Sequence, residues 1–425
     1  MKFISSLFVV LLFASVALST DYQFATCVFG PFNEFPGSKD LNGGIQIFKK
    51  GDDDIQFLFE FDGVNGDGNY AAQILTYGLH TSTSPDLGEV YNPDKSEAGC
   101  PTTTTYRLGD LGDIEFVNGK ISNPLVQYKK PSISDDINSI IGRSIAIYSG
   151  SYDCNDAAKS VGQIINYCTV GVGNLTFVSD EFNTDVDPKV DTNSARSYSK
   201  LDELEPNGVV YGLAKVFNTS IIQDEVEGKV FFKTLNSSFI QVSSQIVGLS
   251  YQAHGFHIHE FGERSDLTGY AVGGHWRSEG QVHALPENET RHNGDMGNFC
   301  AFSDDMNLGY YKIVTDYIRV SDLIGRGMAV HNSTDMGNAN VGGPRCAQGV
   351  IALINPKGGD AVQLPSEDWV YDVICPHGAY KGGASSYSGS DVPTDSSSNE
   401  PSSASTISSI IGLVIASIIS TIIFF

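Results

Sequence analysis

A histidine-rich segment in the second half of the chain constrains the fold and the chemistry more than any other part of the sequence. Residues 255–295 hold five of the nine histidines. His257 and His259 are two residues apart, so on a β-strand both side chains point to the same face. The remaining candidates follow at gaps of eight, nine and three residues: His275, His283, His292 and Asp295. So many imidazole groups with one carboxylate predict a site for metal ions.

Short apolar runs bounded by Gly, Asn, Asp and Pro predict an all-β chain. Segments such as DIQFLFEF and EGKVFFKTLN alternate apolar and polar residues or run apolar, as half-buried antiparallel strands do. A chain of 425 residues is long for one core, and this length favours two domains.

An internal repeat supports the two-domain interpretation. YGLHTST, TYRLGDLGD, IIGRSIAIYSG and INYCTVGVGN in the first half are similar to GFHIHEF, RHNGDMGN, LIGRGMAVHN and PRCAQGVIAL in the second. Similar offsets, between 177 and 185 residues, join four pairs of residues: His80 with His257, Asp110 with Asp295, Arg143 with Arg326, and Cys168 with Cys346. This pattern predicts a duplicated domain.

The second copy resembles the copper–zinc superoxide dismutase family. GFHIHEFG, GGHWR, RHNGDMGN, LIGRGMAVH and GGPRCAQGVIAL stand in that family's order, and the similarity covers about residues 200–356. The resemblance implies two tandem Greek-key β-sandwich or barrel domains and two metal cofactors, copper and zinc. It assigns copper to His257, His259, His275 and His331. It assigns zinc to His275, His283, His292 and Asp295, with His275 shared as a bridging imidazolate.

The resemblance also implies roles for residues that follow the metal segment. Arg345 would dock superoxide beside copper, and Asp335 would accept hydrogen bonds from one copper ligand and one zinc ligand. His275 would deliver a proton in a reaction that forms oxygen and hydrogen peroxide. The segment 331–345 is short and lacks the charged residues that usually steer the anion, so we expect slower and less salt-sensitive catalysis than in a typical family member.

The first copy lacks the residues that this chemistry requires. In the alignment above, Ser82 replaces the second histidine, Tyr148 the late copper histidine, Arg107 a zinc histidine and Tyr167 the arginine. The one remaining histidine cannot supply a copper site that needs three or four imidazoles. We therefore expect a degenerate domain without a metal site, serving as a structural partner or as a ligand-binding surface.

Both termini carry features of an extracellular, membrane-anchored protein. Residues 1–19 form a predicted secretory signal peptide, and 407–425 form an uncharged apolar tail after the Ser/Gly-rich stalk 378–406. This order is typical of a signal for a glycosylphosphatidylinositol (GPI) anchor, which replaces the tail; a true tail-anchoring helix is the alternative. Between the termini we expect a degenerate domain at 20–178, an exposed acidic linker at 179–207 and the metal-binding domain at 208–377.

The negative charge of the chain argues against anionic macromolecules as partners. A formal net charge of −24 argues against nucleic-acid binding and against a basic membrane-binding patch. Five Asn-X-Ser/Thr sequons agree with an extracellular glycoprotein. The oligomeric state stays open; if the first copy occupies the surface through which family members dimerise, the chain is a monomer.

Seven cysteines allow three internal disulfides and leave one cysteine over. By analogy with the loop-anchoring bond of the family, we expect Cys100–Cys168, with Cys27–Cys154 as the remaining pair of the first domain. In the second domain we expect Cys346 to pair with Cys300 or Cys375.

The sequence therefore predicts an extracellular superoxide dismutase on the outer face of the plasma membrane. The alternative is a non-enzymatic surface protein that binds copper or a partner. The complete set of candidate ligands in the second copy favours the enzyme.

Overall fold

The computed structural model describes most of the two repeated halves of the chain. The described residues are 22–30, 41–50, 54–64, 66–79, 86–154, 156, 161–174, 195–205, 208–221, 225–250, 252–301, 309–337 and 341–356. The predicted signal peptide, the predicted stalk, the apolar tail and Cys375 lie outside these residues. Among the described residues, no helix is both long enough and apolar enough to cross a bilayer.

The first half forms a curled antiparallel sheet in the order β6-β5-β4-β8-β9-β1-β2-β3-β7. Residues 120–128 connect its two edges, because β6 pairs with β5 and β7 pairs with β3. The strands are β1 (Tyr22–Val28), β2 (Asn42–Lys50), β3 (Ile55–Asp62), β4 (Gly68–Leu75), β5 (Asp110–Val117), β6 (Lys120–Ile121), β7 (Leu125–Tyr128), β8 (Ser144–Tyr148) and β9 (Ile164–Val172).

The second half closes into a barrel in the order β10-β11-β12-β15-β14-β13-β16-β17. One strand, β15, pairs with both β12 and β14, which makes the closure continuous. The elements are β10 (Tyr211–Asn218), β11 (Glu227–Thr234), β12 (Ile240–Val247), β13 (Ala253–His259), β14 (Asp295–Ala301), β15 (Gly309–Thr315), the short helix α1 (Val320–Leu323), β16 (Gly327–His331) and β17 (Arg345–Leu353). Short 3₁₀ turns lie at Leu201–Glu203 and Tyr270–Val272.

The alternating residues that predicted strands supply the two barrel cores. In β3, for example, Ile55, Phe57 and Phe59 are buried in the first core. In β11, Val230 and Phe232 are buried in the second core. Burying a large aliphatic or aromatic side chain contributes about 1.5–3 kcal/mol, so the pattern that predicts the strands also stabilises them. The prediction of an all-β chain with two tandem barrel-type domains is confirmed.

Strand register corrects the predicted alignment of the two copies. Gln73 faces Asp110 across the β4–β5 ladder as His257 faces Asp295 across β13–β14, and a bulge precedes each pair. Gln73 is therefore the counterpart of His257, and Leu75 is the counterpart of His259. The predicted match of His80 with His257 is wrong, and His80 and Ser82 lie outside the described residues. The predicted alignment matched the segments YGLH and GFHIH because their sequences are similar. YGLH follows β4, whereas GFHIH lies within β13.

Register also moves the counterpart of Arg345. His331 faces Arg345 across a bulge in the β16–β17 ladder, and Tyr148 faces Ile164 across the same bulge in β8–β9. Tyr148 therefore takes the place of His331, as predicted. Ile164 takes the place of Arg345, so the predicted match with Tyr167 is wrong by three residues.

The two barrels meet in an interface with an internal two-fold pattern. Among the residues that the structure describes, four backbone hydrogen bonds cross it, and they form two pairs related by exchange of the repeats. In the first pair, Gly78 N donates to Leu353 O (2.7 Å) and Gly262 N donates to Val172 O (2.8 Å). In the second pair, Leu353 N donates to Gly142 O (2.9 Å) and Val172 N donates to Gly325 O (2.7 Å). A shared apolar cluster, which includes Leu75 and Tyr167 from one repeat and Tyr211 and Phe231 from the other, lies beside these bonds.

A self-complementary surface of this kind is how two identical subunits associate, and here both halves belong to one chain. We expect the purified protein to be a monomer, because each repeat already covers the matching surface of the other. Light scattering coupled to size exclusion measures this directly. A stable dimer at micromolar concentration would contradict the prediction.

The end of the predicted linker is not exposed. Ala195, Ser197 and Leu201 are buried. The Arg196 backbone donates to Ile133 O at 2.8 Å, and the Ser197 hydroxyl donates to Ser321 O at 2.6 Å. Residues 195–205 thus pack against both barrels, and the prediction of an exposed linker is wrong for this part. Its charged side chains suggested exposure, but the alternate positions hold apolar and small residues that pack inward.

The disulfides differ from the expected pairs. Cys27 bonds to Cys168 and Cys100 bonds to Cys154, with Cα–Cα distances of 5.2 and 5.3 Å. The expected Cys100–Cys168 and Cys27–Cys154 pairs are wrong, because β1 lies beside β9 and brings Cys27 next to Cys168.

The second domain also departs from its expected disulfide. Cys346 carries a buried thiol, 3.3 Å from Val330 O, and not a disulfide sulfur. Cys300 is disulfide-bonded, and its partner lies outside the described residues. The expected pairing of Cys346 with Cys300 or Cys375 is therefore wrong.

Candidate metal centre

Four histidines from three parts of the second barrel converge on one point. His257 and His259 lie on β13, His331 ends β16, and His275 lies in the loop between β13 and β14. Each offers one ring nitrogen, and these four atoms lie within 4.8 Å of one another. All four residues are buried. Strand pairing of β13 with β16 brings the sequence-distant His331 to the pair on β13.

Hydrogen bonds to the backbone fix which nitrogen of each ring faces the cluster. Nδ1 of His259 lies 3.1 Å from Gly273 O, and Nδ1 of His331 lies 2.8 Å from Gly343 O. Both Nδ1 atoms therefore carry the proton, and the two unprotonated Nε2 atoms face each other at 3.4 Å. Burial, together with neighbouring positive charge, lowers the pKa of both rings well below 6.5, which keeps these lone pairs free.

His257 presents the opposite nitrogen. Its Nε2 atom donates to Asp335 Oδ2 at 2.9 Å, and its buried Nδ1 atom has no hydrogen-bond partner among the described residues. Burial lowers its pKa to about 4, so this nitrogen also keeps its lone pair. A buried acceptor without a donor is costly unless a cation meets it, and the cluster therefore fits a metal ion.

A second cluster surrounds one oxygen of Asp295. Its Oδ1 atom lies 2.6 Å from Nδ1 of His275, 3.1 Å from Nδ1 of His283 and 3.4 Å from Nδ1 of His292. The backbone amide of Ala284 donates to Oδ2 at 3.0 Å and holds the carboxylate in place. Three imidazoles and one carboxylate form a donor set of the kind that binds zinc in four-coordinate geometry.

The charges in this second cluster also fit a cation. Burial opposes a charge on His283, but its contacts with Asp295 and Asp335 outweigh burial and raise its pKa to about 9. Burial would raise the pKa of Asp295, but its hydrogen bonds with His275 and His283 hold that pKa far below the usual range. The ionised carboxylate thus favours positive charge at the centre of the cluster.

His275 belongs to both clusters. Its Nδ1 atom faces Asp295, which leaves Nε2 for the group of four histidines. One imidazole ring can contact two cations in this way, since its nitrogens lie on different edges of the ring.

Asp335 connects the two clusters through hydrogen bonds to one histidine of each. Its Oδ2 atom accepts from His257 and its Oδ1 atom accepts from Nε2 of His283, both at 2.9 Å. The side chain is fully buried, and its backbone N–H donates to Asn298 Oδ1 at 2.8 Å. One carboxylate thus orients one ring of each cluster. The spacing of the residues would not reveal this contact, and its prediction came from the family resemblance.

Arg345 borders an open cavity of about 580 Å³ that leads to the first cluster. Its Nη1 atom donates to Gly269 O at 2.8 Å, and its Nη2 atom donates to Gly273 O. His275, His292 and His331 also line the cavity. The guanidinium is thus anchored by backbone carbonyls at the wall of the cavity, where it can bind a small anion.

Three further polar side chains that line this cavity were not predicted from the sequence to be functional. They are Glu260, Tyr270 and Arg277. Glu260 and Arg277 each lie within two residues of a candidate ligand, His259 or His275, and that proximity was the available signal. His254, by contrast, lies outside both clusters, with Nδ1 2.8 Å from His331 O.

An arginine fills the corresponding place in the first barrel. The guanidinium of Arg107 makes a two-pronged contact with Asp110, from Nε to Oδ2 at 3.0 Å and from Nη2 to Oδ1 at 2.8 Å. Gln73 Nε2 also donates to Asp110 Oδ1, at 3.1 Å. The counterpart of Asp295 is therefore neutralised by a side chain. Among the described residues, both candidate metal clusters lie in the second barrel.

Comparisons with known proteins agree with this geometry. The family model described as "Copper/zinc superoxide dismutase (SODC)" matches residues 41–172 and 226–351, once in each barrel. The chain is 46% identical to "Extracellular superoxide dismutase [Cu-Zn] 3" of Dictyostelium discoideum, over 99% of both chains. It is 37% identical to "Extracellular superoxide dismutase [Cu-Zn] 2" of the same organism, over 90% of this chain and 89% of the relative.

A solved structure, "Crystal Structure Analysis of the clock protein EA4", matches 34% of this chain and 94% of its own, at 27% identity and a TM-score of 0.29. The two family-model matches confirm the predicted duplication. Together with the two relatives, they show that this chain belongs to the copper/zinc superoxide dismutase family, whose cofactors are copper and zinc.

Proposed function

We propose that the second barrel catalyses the dismutation of superoxide outside the cell. His257, His259, His275 and His331 would hold copper. His275, His283, His292 and Asp295 would hold zinc. The observation that carries the proposal is the pair of four-ligand clusters that share His275 and are connected by Asp335.

The reaction converts two superoxide anions and two protons into one oxygen and one hydrogen peroxide molecule. Copper would supply the one-electron exchange, and zinc, which has no redox chemistry, would stabilise the loop that carries its candidate ligands. The residues of the chain do the rest. Arg345 binds the anion, since its planar fork is fixed at the cavity wall. His275 lines the cavity, and its Nε2 atom can hold and deliver a proton, because Nδ1 faces Asp295.

The proposed location is the outer face of the plasma membrane. Two relatives are named extracellular superoxide dismutases, and the terminal segments of this chain predict secretion followed by GPI anchoring. Treatment of intact cells with a phosphatidylinositol-specific phospholipase C should release the protein into the medium. Retention on the cell after complete cleavage of a known GPI-anchored marker would favour the tail-anchoring helix.

Activity of the purified protein tests the catalytic proposal. Loaded protein should contain one copper and one zinc ion, and should dismutate superoxide in a reaction that cyanide blocks. His331→Ala removes one of the four clustered imidazoles and should lower the rate by more than about 100-fold, because loss of even an indirect metal contact costs 10–100-fold. His80→Ala, in the first repeat, is the matched control and should leave the rate unchanged.

The alternative function, non-enzymatic binding of copper or of a partner, predicts another outcome. Protein that binds both metals with full occupancy yet shows no dismutation would contradict the enzymatic proposal. A cellular effect that survives His331→Ala would also favour binding.

A further inference from the structure

The cavity that leads to the first cluster has few charged side chains. Among its lining residues Arg345, Arg277 and Glu260 carry fixed charges. The neighbouring segment 331–345 adds only Asp335, whose carboxylate is fully buried and bonded to two histidines. Apart from the metal ions that the site would hold, the side chains that line the cavity therefore contribute two positive charges and one negative charge, in a chain with a formal net charge of −24.

Arg277 is placed to act on an anion in the cavity. The side chain is exposed, and it makes no hydrogen bond or ion pair that ties it to another described residue. The backbone next to it is anchored, because Trp276 N donates to Ile258 O at 2.9 Å and Gly294 N donates to Trp276 O at 2.8 Å.

Glu260 carries the one negative charge among these lining residues, and this charge repels an anion. Its carboxylate is near the backbone of Gly273 and Gly274, directly before His275. Salt damps charges beyond about 8 Å at physiological ionic strength, so nearby charges outweigh the distant acidic surface for an anion at the entrance. One more cation or one fewer carboxylate there should change the local anion concentration measurably.

We propose that Arg277 is a second steering residue, which attracts superoxide into the cavity and leaves its final docking to Arg345, while Glu260 opposes this attraction. The proposal rests on the proposed function for its substrate. A unit charge about 10 Å from an anion in water changes the local anion concentration about twofold, and low-dielectric walls increase that factor. Arg277 thus partly replaces the charges that segment 331–345 lacks.

Turnover by the copper- and zinc-loaded full chain gives the first test. Arg277→Gln should lower kcat/KM about threefold at low salt and flatten its dependence on ionic strength, whereas Arg277→Lys should restore both. Glu260→Gln should raise kcat/KM about twofold. The matched control is Arg319→Gln, which removes the same charge from an exposed arginine outside the cavity and should change neither quantity.

Azide binding to the copper-loaded protein gives a second readout that does not require turnover. Arg277→Gln should weaken azide binding about threefold, and Glu260→Gln should strengthen it. Equal effects of Arg277→Gln and Arg319→Gln, or a slower Glu260→Gln enzyme, would overturn the proposal. If the loaded protein binds both metals but does not turn over, the proposed function fails, and the azide series alone decides whether Arg277 attracts anions.

Discussion

Replacing Asp335 with alanine should weaken both metal binding and the stability of the fold. Its carboxylate accepts one bond from His257 and one from His283, both at 2.9 Å. Without it, the N–H donors of buried His257 and partly buried His283 lose their acceptor, at about 1–3 kcal/mol each. We therefore expect a loss of about 2–6 kcal/mol in the free energy of unfolding of the loaded protein.

Metal affinity should fall with stability, because Asp335 sets the orientation of one ring in each cluster. Loss of such an indirect contact lowers metal affinity by about 10–100-fold. Competition with a chelator of known affinity measures copper and zinc separately, and both affinities should fall. A fall in only one would mean that the carboxylate supports only one cluster.

Two further variants separate the hydrogen bonds from the loss of charge. Asp335→Asn keeps the size of the side chain and one acceptor oxygen, but its amide nitrogen cannot accept the second N–H, so it should lie between wild type and Asp335→Ala. Asp316→Ala removes an exposed carboxylate and should change stability by less than about 0.5 kcal/mol. An Asp335→Ala protein as stable and as well metallated as Asp316→Ala would refute the orienting role.

The two clusters of candidate ligands could be predicted from the sequence because their residues fall within a few short motifs. His275, His283, His292 and Asp295 lie close together in the chain, and the structure brings them to one point. His331 is distant in sequence, but its family motif and its place at the end of a predicted strand made it a candidate copper ligand. The cavity charges Glu260 and Arg277 were not predicted, since their role depends on how the loop folds over β13.

The two repeats could be recognised from the sequence, but their alignment could not be fixed. Short similar sequence segments can be aligned with an error of several residues. The pairing of Gln73 with Asp110 across neighbouring strands fixes the alignment at one register. The predictions of the disulfides were wrong for a related reason, because the pairing of cysteines depends on which strands are neighbours in the sheet. The sequence placed Arg107 at a zinc ligand's position, and only the structure shows its guanidinium held against Asp110.

The interface between the repeats depends on glycines that leave room for the other barrel. Gly325 has a φ of +86°, and a Cβ atom there would lie 2.2 Å from Cγ2 of Ile141. Its partner in the internal two-fold pattern is Gly142, with a φ of +78°, where a Cβ atom would lie 2.0 Å from Cγ2 of Ile324. The same close approach thus occurs twice, once from each repeat.

Gly325→Ala should therefore destabilise the protein by about 2–5 kcal/mol. The left-handed backbone costs a non-glycine residue about 1–2 kcal/mol, and overpacking against Ile141 adds about 1–3 kcal/mol. Chemical denaturation of the loaded protein measures the sum. Gly119→Ala is the matched control, because Gly119 has a φ of +72° and nothing within 4 Å of its Cβ position, so only the backbone cost should appear.

A double-mutant cycle then tests whether the contact between the barrels causes the difference. Ile141→Leu removes the branch that carries Cγ2 and keeps the side-chain volume, and such a change costs less than about 1.5 kcal/mol on its own. In combination with Gly325→Ala it should recover most of the steric cost, which gives a coupling energy of about 1–3 kcal/mol. Additive effects, or a Gly325→Ala protein as stable as Gly119→Ala, would mean that the two barrels do not pack through these glycines. A coupling energy of about 1–3 kcal/mol would show that the first barrel packs against the second through these glycines. The first barrel would then act as a structural partner that covers this surface of the second.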